Sequence, residues 1–194
     1  GTVISALGKA KATIETKNAT DSIKVTEAAD FTGITGKADI NVEYTATAFA
    51  VTKGKTYTGN INLTLKGDAS GETTLASSDD LAFANSVVAT ENLLTLNVSG
   101  AALTTLKNTQ IDLAQSSTSV VLGTDFSGDV NLNEWFTNVD GSDDFRGTLA
   151  SVRNFVGTAG NENISFVGNE TIKKIDGGEG TDTITLGSGS GTIN

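Results

Sequence analysis

Residues 39 to 51 alternate between apolar and polar positions: Ile40, Val42, Tyr44, Ala46 and Ala48 fall on one side, and the register shifts near Phe49. A period of two predicts strands with one buried face. The same alternation marks Ser22-Ile23-Lys24-Val25-Thr26 and Asn60-Ile61-Asn62-Leu63-Thr64-Leu65-Lys66, and shorter runs occur at Thr2 to Leu7 and Ala12 to Thr16. Asn18 to Asp21, Lys53-Gly54-Lys55 and Gly67 to Gly71 carry turn chemistry. Residues 39 to 66 therefore read as antiparallel hairpins with one wet face.

From Thr73 to Val121 the chain carries short apolar runs set about eight to twelve residues apart, the spacing of sandwich or solenoid strands. Leu93 to Val98, Ile111 to Leu113 and Val120 to Leu122 are examples. No fixed period holds before residue 157. Leu103 to Gln110 lacks the sustained apolar stripe of an amphipathic helix. The expectation for 1–145 is an all-β body, either β-sandwich-like or an irregular β-solenoid. Within it, Asp125 to Phe136 holds the single tryptophan, Trp135. Trp135 and Phe136 read most simply as core anchors, with a sugar-stacking platform as the alternative. Asp140, Asp143 and Asp144 place three carboxylates within five residues. Repulsion there is relieved by solvation or by a cation. A solvated acidic turn is the simpler reading and a Ca²⁺ loop the sharper; the spacing is not that of an EF-hand.

The pattern changes at Gly177-Gly178-Glu179-Gly180-Thr181-Asp182-Thr183-Ile184-Thr185, which fits G-G-x-G-x-D-x-U-x at every fixed position. Glycines permit the sharp turn and aim carbonyl oxygens inward. Asp182 offers the charged oxygen that a hard cation prefers, and Ile184 opens an inward-facing strand. Copies flank this unit. Leu186 to Asn194 keeps two glycines and Ile193 but has Gly191 at the acidic place, while Gly168 to Asp176 keeps Ile175 in register and has lost most of the turn glycines. After a two-residue slip, Gly157-Thr158-Ala159-Gly160-Asn161-Glu162-Asn163-Ile164-Ser165 repeats the layout with Glu162 as the acid. Residues 146–194 are read as a degenerate repeat tract, against the plainer alternative of a Gly/Ser/Thr-rich tail.

On these residues the chain resembles the secreted repeats-in-toxin (RTX) proteins, particularly their surface-layer and adhesin members. The resemblance covers about a fifth of the chain, and the run from Asn154 into Gly157 is similar to the entry into such a tract. It implies type I secretion, folding on external Ca²⁺ and a parallel β-roll with ions between its turns. Carried over, Asp182 supplies a side-chain ligand, Gly178 and Gly180 supply carbonyls, and Glu162 is the acid two repeats earlier. The partner two repeats later would lie beyond Asn194. Together with the absence of an initial methionine, this leads to the expectation of a part of a longer protein.

Composition removes most chemistry. The 194 residues include no histidine, cysteine, methionine or proline. Ser-His-Asp and Cys-His sites, histidine-based zinc sites and disulfides are therefore excluded. The formal charge of −10 argues against nucleic-acid and anionic-membrane partners. No run suits a membrane-spanning helix. The expected function is non-enzymatic: a structural surface-layer protein on a bacterial cell, secreted and self-assembling into a lattice with Ca²⁺-dependent contacts. An adhesin module binding a surface ligand such as a cell-surface polysaccharide is the alternative. A β-helical polysaccharide-active enzyme is the third class, and it would need carboxylates clustered with aromatics in a groove.

Overall fold

The computed structural model describes residues 3–4, 15–16, 22–25, 35–37, 39–44, 58–77, 81–82, 84–106, 109–113, 117–148, 150–167 and 172–187. The Lys53-Gly54-Lys55 turn, the register shift at Phe49 and the Gly191 and Ile193 positions lie outside them.

The strands in chain order begin with β1 (Val3–Ile4), β2 (Glu15–Thr16), β3 (Ser22–Val25), β4 (Thr35–Gly36), β5 (Asp39–Tyr44) and β6 (Ile61–Leu65). They continue with β7 (Glu72–Leu75), β8 (Ser86–Ala89), β9 (Thr95–Val98), β10 (Ile111–Asp112), β11 (Ser119–Leu122) and β12 (Ser127–Asn131). The last six are β13 (Phe136–Thr137), β14 (Asp144–Gly147), β15 (Ser151–Val156), β16 (Asn163–Phe166), β17 (Lys174–Asp176) and β18 (Thr183–Leu186). One helical turn, α1 (Gly100–Leu103), and a 3₁₀ turn (Leu132–Glu134) complete the set.

All the pairings among these strands are parallel. The protein is a β-solenoid, so of the two architectures expected for the body the solenoid holds and the sandwich does not. The antiparallel hairpins expected over 39 to 66 are also corrected: β5 and β6 pair in parallel, Ile40 against Ile61. Alternation reports only that one face is buried, and it is identical for a hairpin and for two stacked turns. The chain between Tyr44 and Ile61 is long enough to return to its starting end, as a parallel crossover requires.

Three sheets form the sides. One runs β1-β3-β5-β6-β8-β10-β13, a second β7-β9-β11-β14-β16-β18, a third β12-β15-β17, and β2 and β4 form a separate pair. Stacking places like residues over like. Val42, Leu63, Val87, Ile111 and Phe136 form one inward column, each almost fully buried. Leu96, Val120, Phe145 and Ile164 form another. Burying each such side chain contributes roughly 1.5–3 kcal/mol. Edge-to-face pairs, Phe136 with Phe145 at 5.2 Å and Phe155 with Phe166 at 4.8 Å, tie opposite walls together. On the outer face Asn62 donates to Asn41 Oδ1 at 3.0 Å and accepts from the Ser86 hydroxyl at 2.9 Å, a polar ladder across three turns.

The turn length changes along the axis, and this positions everything that follows. Val87 pairs with Ile111, 24 residues on, and Ser119 with Asp144, 25 on. Asp144 then pairs with Asn163, only 19 on, and Asn163 with Thr183, 20 on. The shortening falls in one corner. Between β12 and β14 the chain makes the 3₁₀ turn and β13, whereas between β15 and β16, and again between β17 and β18, it crosses directly in six residues. The seven-stranded sheet stops at β13, and the last two turns have two sides instead of three. The boundary placed near residue 145 falls within β14, which is bonded to β11 on one side and β16 on the other.

Candidate functional site

The residues singled out for metal binding gather in that shortened corner. Thr118, Asp143, Glu162 and Asp182 each immediately precede a strand of the six-stranded sheet, so they occupy one position in four successive turns. The two-residue slip between the nonapeptide copies has a physical origin here. The repeat that stacks Gly157–Glu162 on Gly177–Asp182 is the 20-residue turn, not two units of nine.

Asp143 is fully buried. Its Oδ1 accepts the Thr118 N–H at 2.8 Å and its Oδ2 the Asp140 N–H at 2.9 Å. Burial pushes its carboxyl up to about 6, against the pull of the Asp140 and Thr118 amides, and the charges of Asp140 and Asp144 add to the rise. Asp140 is exposed and accepts from the Ser142 hydroxyl and, at 2.8 Å, the Ser142 N–H, which hold its carboxyl below the usual range. Asp144 is exposed on β14. The cluster is thus not uniformly solvated: its middle carboxylate is a buried anchor.

Glu162 is 1% exposed. Its carboxylate accepts from the Thr158 hydroxyl and, at 3.2 Å, the Thr158 N–H. Burial raises its pKa; the Thr158 donors oppose this, and the charge of Asp182 adds to it. The Glu162 N–H in turn donates to Asp182 Oδ1 at 3.1 Å. Asp182 does for Glu162 what Asp143 does for Thr118: a carboxylate reaches back one turn and satisfies a backbone donor at the same corner.

Gly178 and Gly180 adopt φ of 100° and 102°, values that suit glycine. A Cβ on Gly178 would lie 1.9 Å from the Thr158 carbonyl oxygen, and one on Gly180 would lie 2.1 Å from that of Gly160. The stacked turns also bond directly, Glu179 N–H to Thr158 O at 3.1 Å.

The fit to Ca²⁺ is partial. Among the described residues no group of three or more acidic side chains is close enough to hold a metal ion. The structure brings Glu162 to Asp182 and Asp143 to Asp140. The oxygens of Glu162 and Asp143 already accept N–H and O–H donors. The Asp182 carboxylate and the carbonyls of the exposed Gly178 and Gly180 are the oxygens of the kind a hard cation takes. They are the residues that would hold it.

Sequence reasoning missed the wider use of this device. Asp125 bonds the Gly100 and Ala101 N–H groups at 3.0 Å each, capping α1 from the following turn. Asn85 Oδ1 accepts the Ile61 N–H at 2.9 Å, and Asn161 Oδ1 the Thr181 N–H at 2.7 Å. The signal available was an Asp or Asn recurring at turn positions one solenoid repeat apart.

Two clefts flank the corner. One, of about 520 Å³, is rimmed by Asp125, Asp129 and Glu134 beside Phe126 and Trp135. Trp135 is buried and packs against Phe126 at 5.9 Å with the rings nearly perpendicular, as a core anchor does. Asp125 is committed to α1, and Asp129 accepts from Asn154 Nδ2 at 2.7 Å. The other cleft, of about 440 Å³, lies where the seven-stranded sheet ends, between β13 and Thr158 to Gly160. No protein-family model, no curated protein and no solved structure matches the chain.

Proposed function

We propose that the chain is a structural surface-layer component of a bacterial cell, self-assembling into a lattice, with Ca²⁺ taken up in its last turns. The observation that carries this reading is the stacking of Glu162 on Asp182, two acids one turn apart at 3.1 Å from backbone to carboxylate, on paired glycine turns. Each charge disfavours the other, and a divalent cation at Asp182 relieves that cost. A parallel solenoid is a rigid rod whose stability is a sum of neighbouring-turn contacts, as suits a load-bearing element. Ca²⁺ that completes the last turns couples their folding to the calcium-rich exterior, which agrees with a secreted location.

Circular dichroism and light scattering during a Ca²⁺ titration of chelator-treated protein test the reading. A rise in both β signal and particle size, weakened in Asp182→Ala, is the expected result. No change in either overturns it. A rise in β signal with the protein staying monomeric favours the second reading, an adhesin module, for which the 440 Å³ cleft speaks.

A further inference from the structure

We propose that the cleft at the end of the seven-stranded sheet is a binding site for a neutral saccharide. This deepens the adhesin reading and is independent of lattice assembly. The cleft exists because the chain narrows: β13 is the last strand of its sheet, and the following turn crosses at Thr158 to Gly160 instead of covering it. The step leaves a pocket of about 440 Å³, within the range of small-ligand sites.

Its lining is what selects the ligand. In a chain of formal charge −10, the described residues that line this cleft include no ionisable side chain. Among the described lining residues a cation would find no carboxylate and an anion no lysine or arginine. Instead the walls carry Gln110, Asn133, Thr137 and Asn138.

Two of these amides are held by their nitrogens. Gln110 Nε2 donates to the carbonyls of Asn133 and Phe136, and Asn133 Nδ2 to that of Gly157 at 3.0 Å. Their oxygens, the whole Asn138 amide and the Thr137 hydroxyl make no hydrogen bond among the described residues. Fixed acceptors beside an unengaged amide suit a ligand dense in hydroxyls. The exposed Ala159, with the edge of the mostly buried Val139, supplies the apolar surface for its C–H faces. Asn138 has φ 55°, the one left-handed non-glycine among the described residues. An extended peptide adding to the sheet is the competing occupant. It needs a longer run of backbone pairs than the two residues of β13 provide.

The test is two-dimensional amide NMR of the whole chain, titrated with maltose, cellobiose, α-mannobiose and N,N′-diacetylchitobiose. A digalacturonate serves as the charged control. The expected result is saturable shifts at Asn138, Ala159 and Gly160 with at least one neutral disaccharide and none with digalacturonate. Gln110→Ala and Asn138→Gly should each weaken that binding about tenfold. Asn138→Gly keeps the left-handed backbone, so loss of binding in that variant is not a folding defect. The same titration in excess chelator should give the same sugar shifts, which separates this site from the calcium reading. Shifts with none of the four sugars overturn the proposal, as do shifts with digalacturonate alone or with an extended peptide in their place.

Discussion

The backbone N–H of Glu162 donates to the carboxylate of Asp182 across 3.1 Å, one full turn of the solenoid apart. A residue that motif reasoning assigns to a cation is thereby also a covalently remote cap for its neighbour's turn. The two roles separate by substitution. Asp182→Ala loses the acceptor and is expected to cost about 1 kcal/mol. Asp182→Asn keeps an acceptor and removes the charge facing Glu162, so its stability without Ca²⁺ should equal or exceed that of the parent. Urea midpoints in chelator read the difference, and only the parent should gain stability when Ca²⁺ is added.

The buried Asp143 predicts a pH profile. Its folded-state pKa, about 6, lies above the ordinary 3.8, so the native state holds the proton more tightly. Stability from this group is fully present below the ordinary pKa and is lost as pH rises through about 6. The loss is on the order of 2–3 kcal/mol. Glu162, also raised, acts in the same sense. Asp68, Asp140 and Asp176 are lowered by hydrogen bonds, and they withdraw stability as pH falls below the usual carboxylate range. Stability should therefore peak near pH 4 and decline toward pH 7. Asp143→Asn should flatten the upper limb, as measured by urea midpoints across the range.

The glycine turns give a contrast that geometry alone decides. Gly178→Ala forces a Cβ to within 1.9 Å of the Thr158 carbonyl at φ 100°, and separating the turns should cost roughly 3 kcal/mol or more. Gly128→Ala, at φ 70° with nothing within 4 Å, carries only the conformational cost, about 1–2 kcal/mol. Equal losses in thermal unfolding would refute the claim that turn-to-turn contact, rather than φ, makes Gly178 irreplaceable.

How far these features were legible in the sequence follows from what each pattern encodes. Ile40, Val42 and Tyr44 announced their buried face because a strand's side chains alternate whatever it pairs with. The direction of pairing left no such mark, so β5 and β6 read as a hairpin. No fixed period emerged before residue 157 because successive turns take 21, 24 and 25 residues. Gly157 to Ser165 and Gly177 to Thr185 were matched because they are stacked, yet a nine-residue frame hid their 20-residue spacing. Asp143 resembled its exposed neighbours Asp140 and Asp144; only the fold shows that its carboxylate turns inward onto Thr118. The neutral cleft was invisible, since it is made by where a sheet stops.

Phe155 and Phe166 test the one-dimensional character of the rod. Their rings meet edge-on at 4.8 Å, and both are fully buried at the start of the two-sided section. Phe155→Ala should cost about 3–5 kcal/mol through the cavity it leaves. In a solenoid each turn rests on its neighbours, so the loss should be felt by β15 to β18 and little by β5 to β9. Native-state hydrogen exchange resolves the two regions. Protection should collapse in Asn163–Phe166 and Thr183–Leu186 while persisting in Ile61–Leu65. Loss of protection in both regions together would mean that the long core column from Val42 to Phe136 and the narrow end unfold as one unit, and that the change in turn length at Asp144 is no energetic boundary.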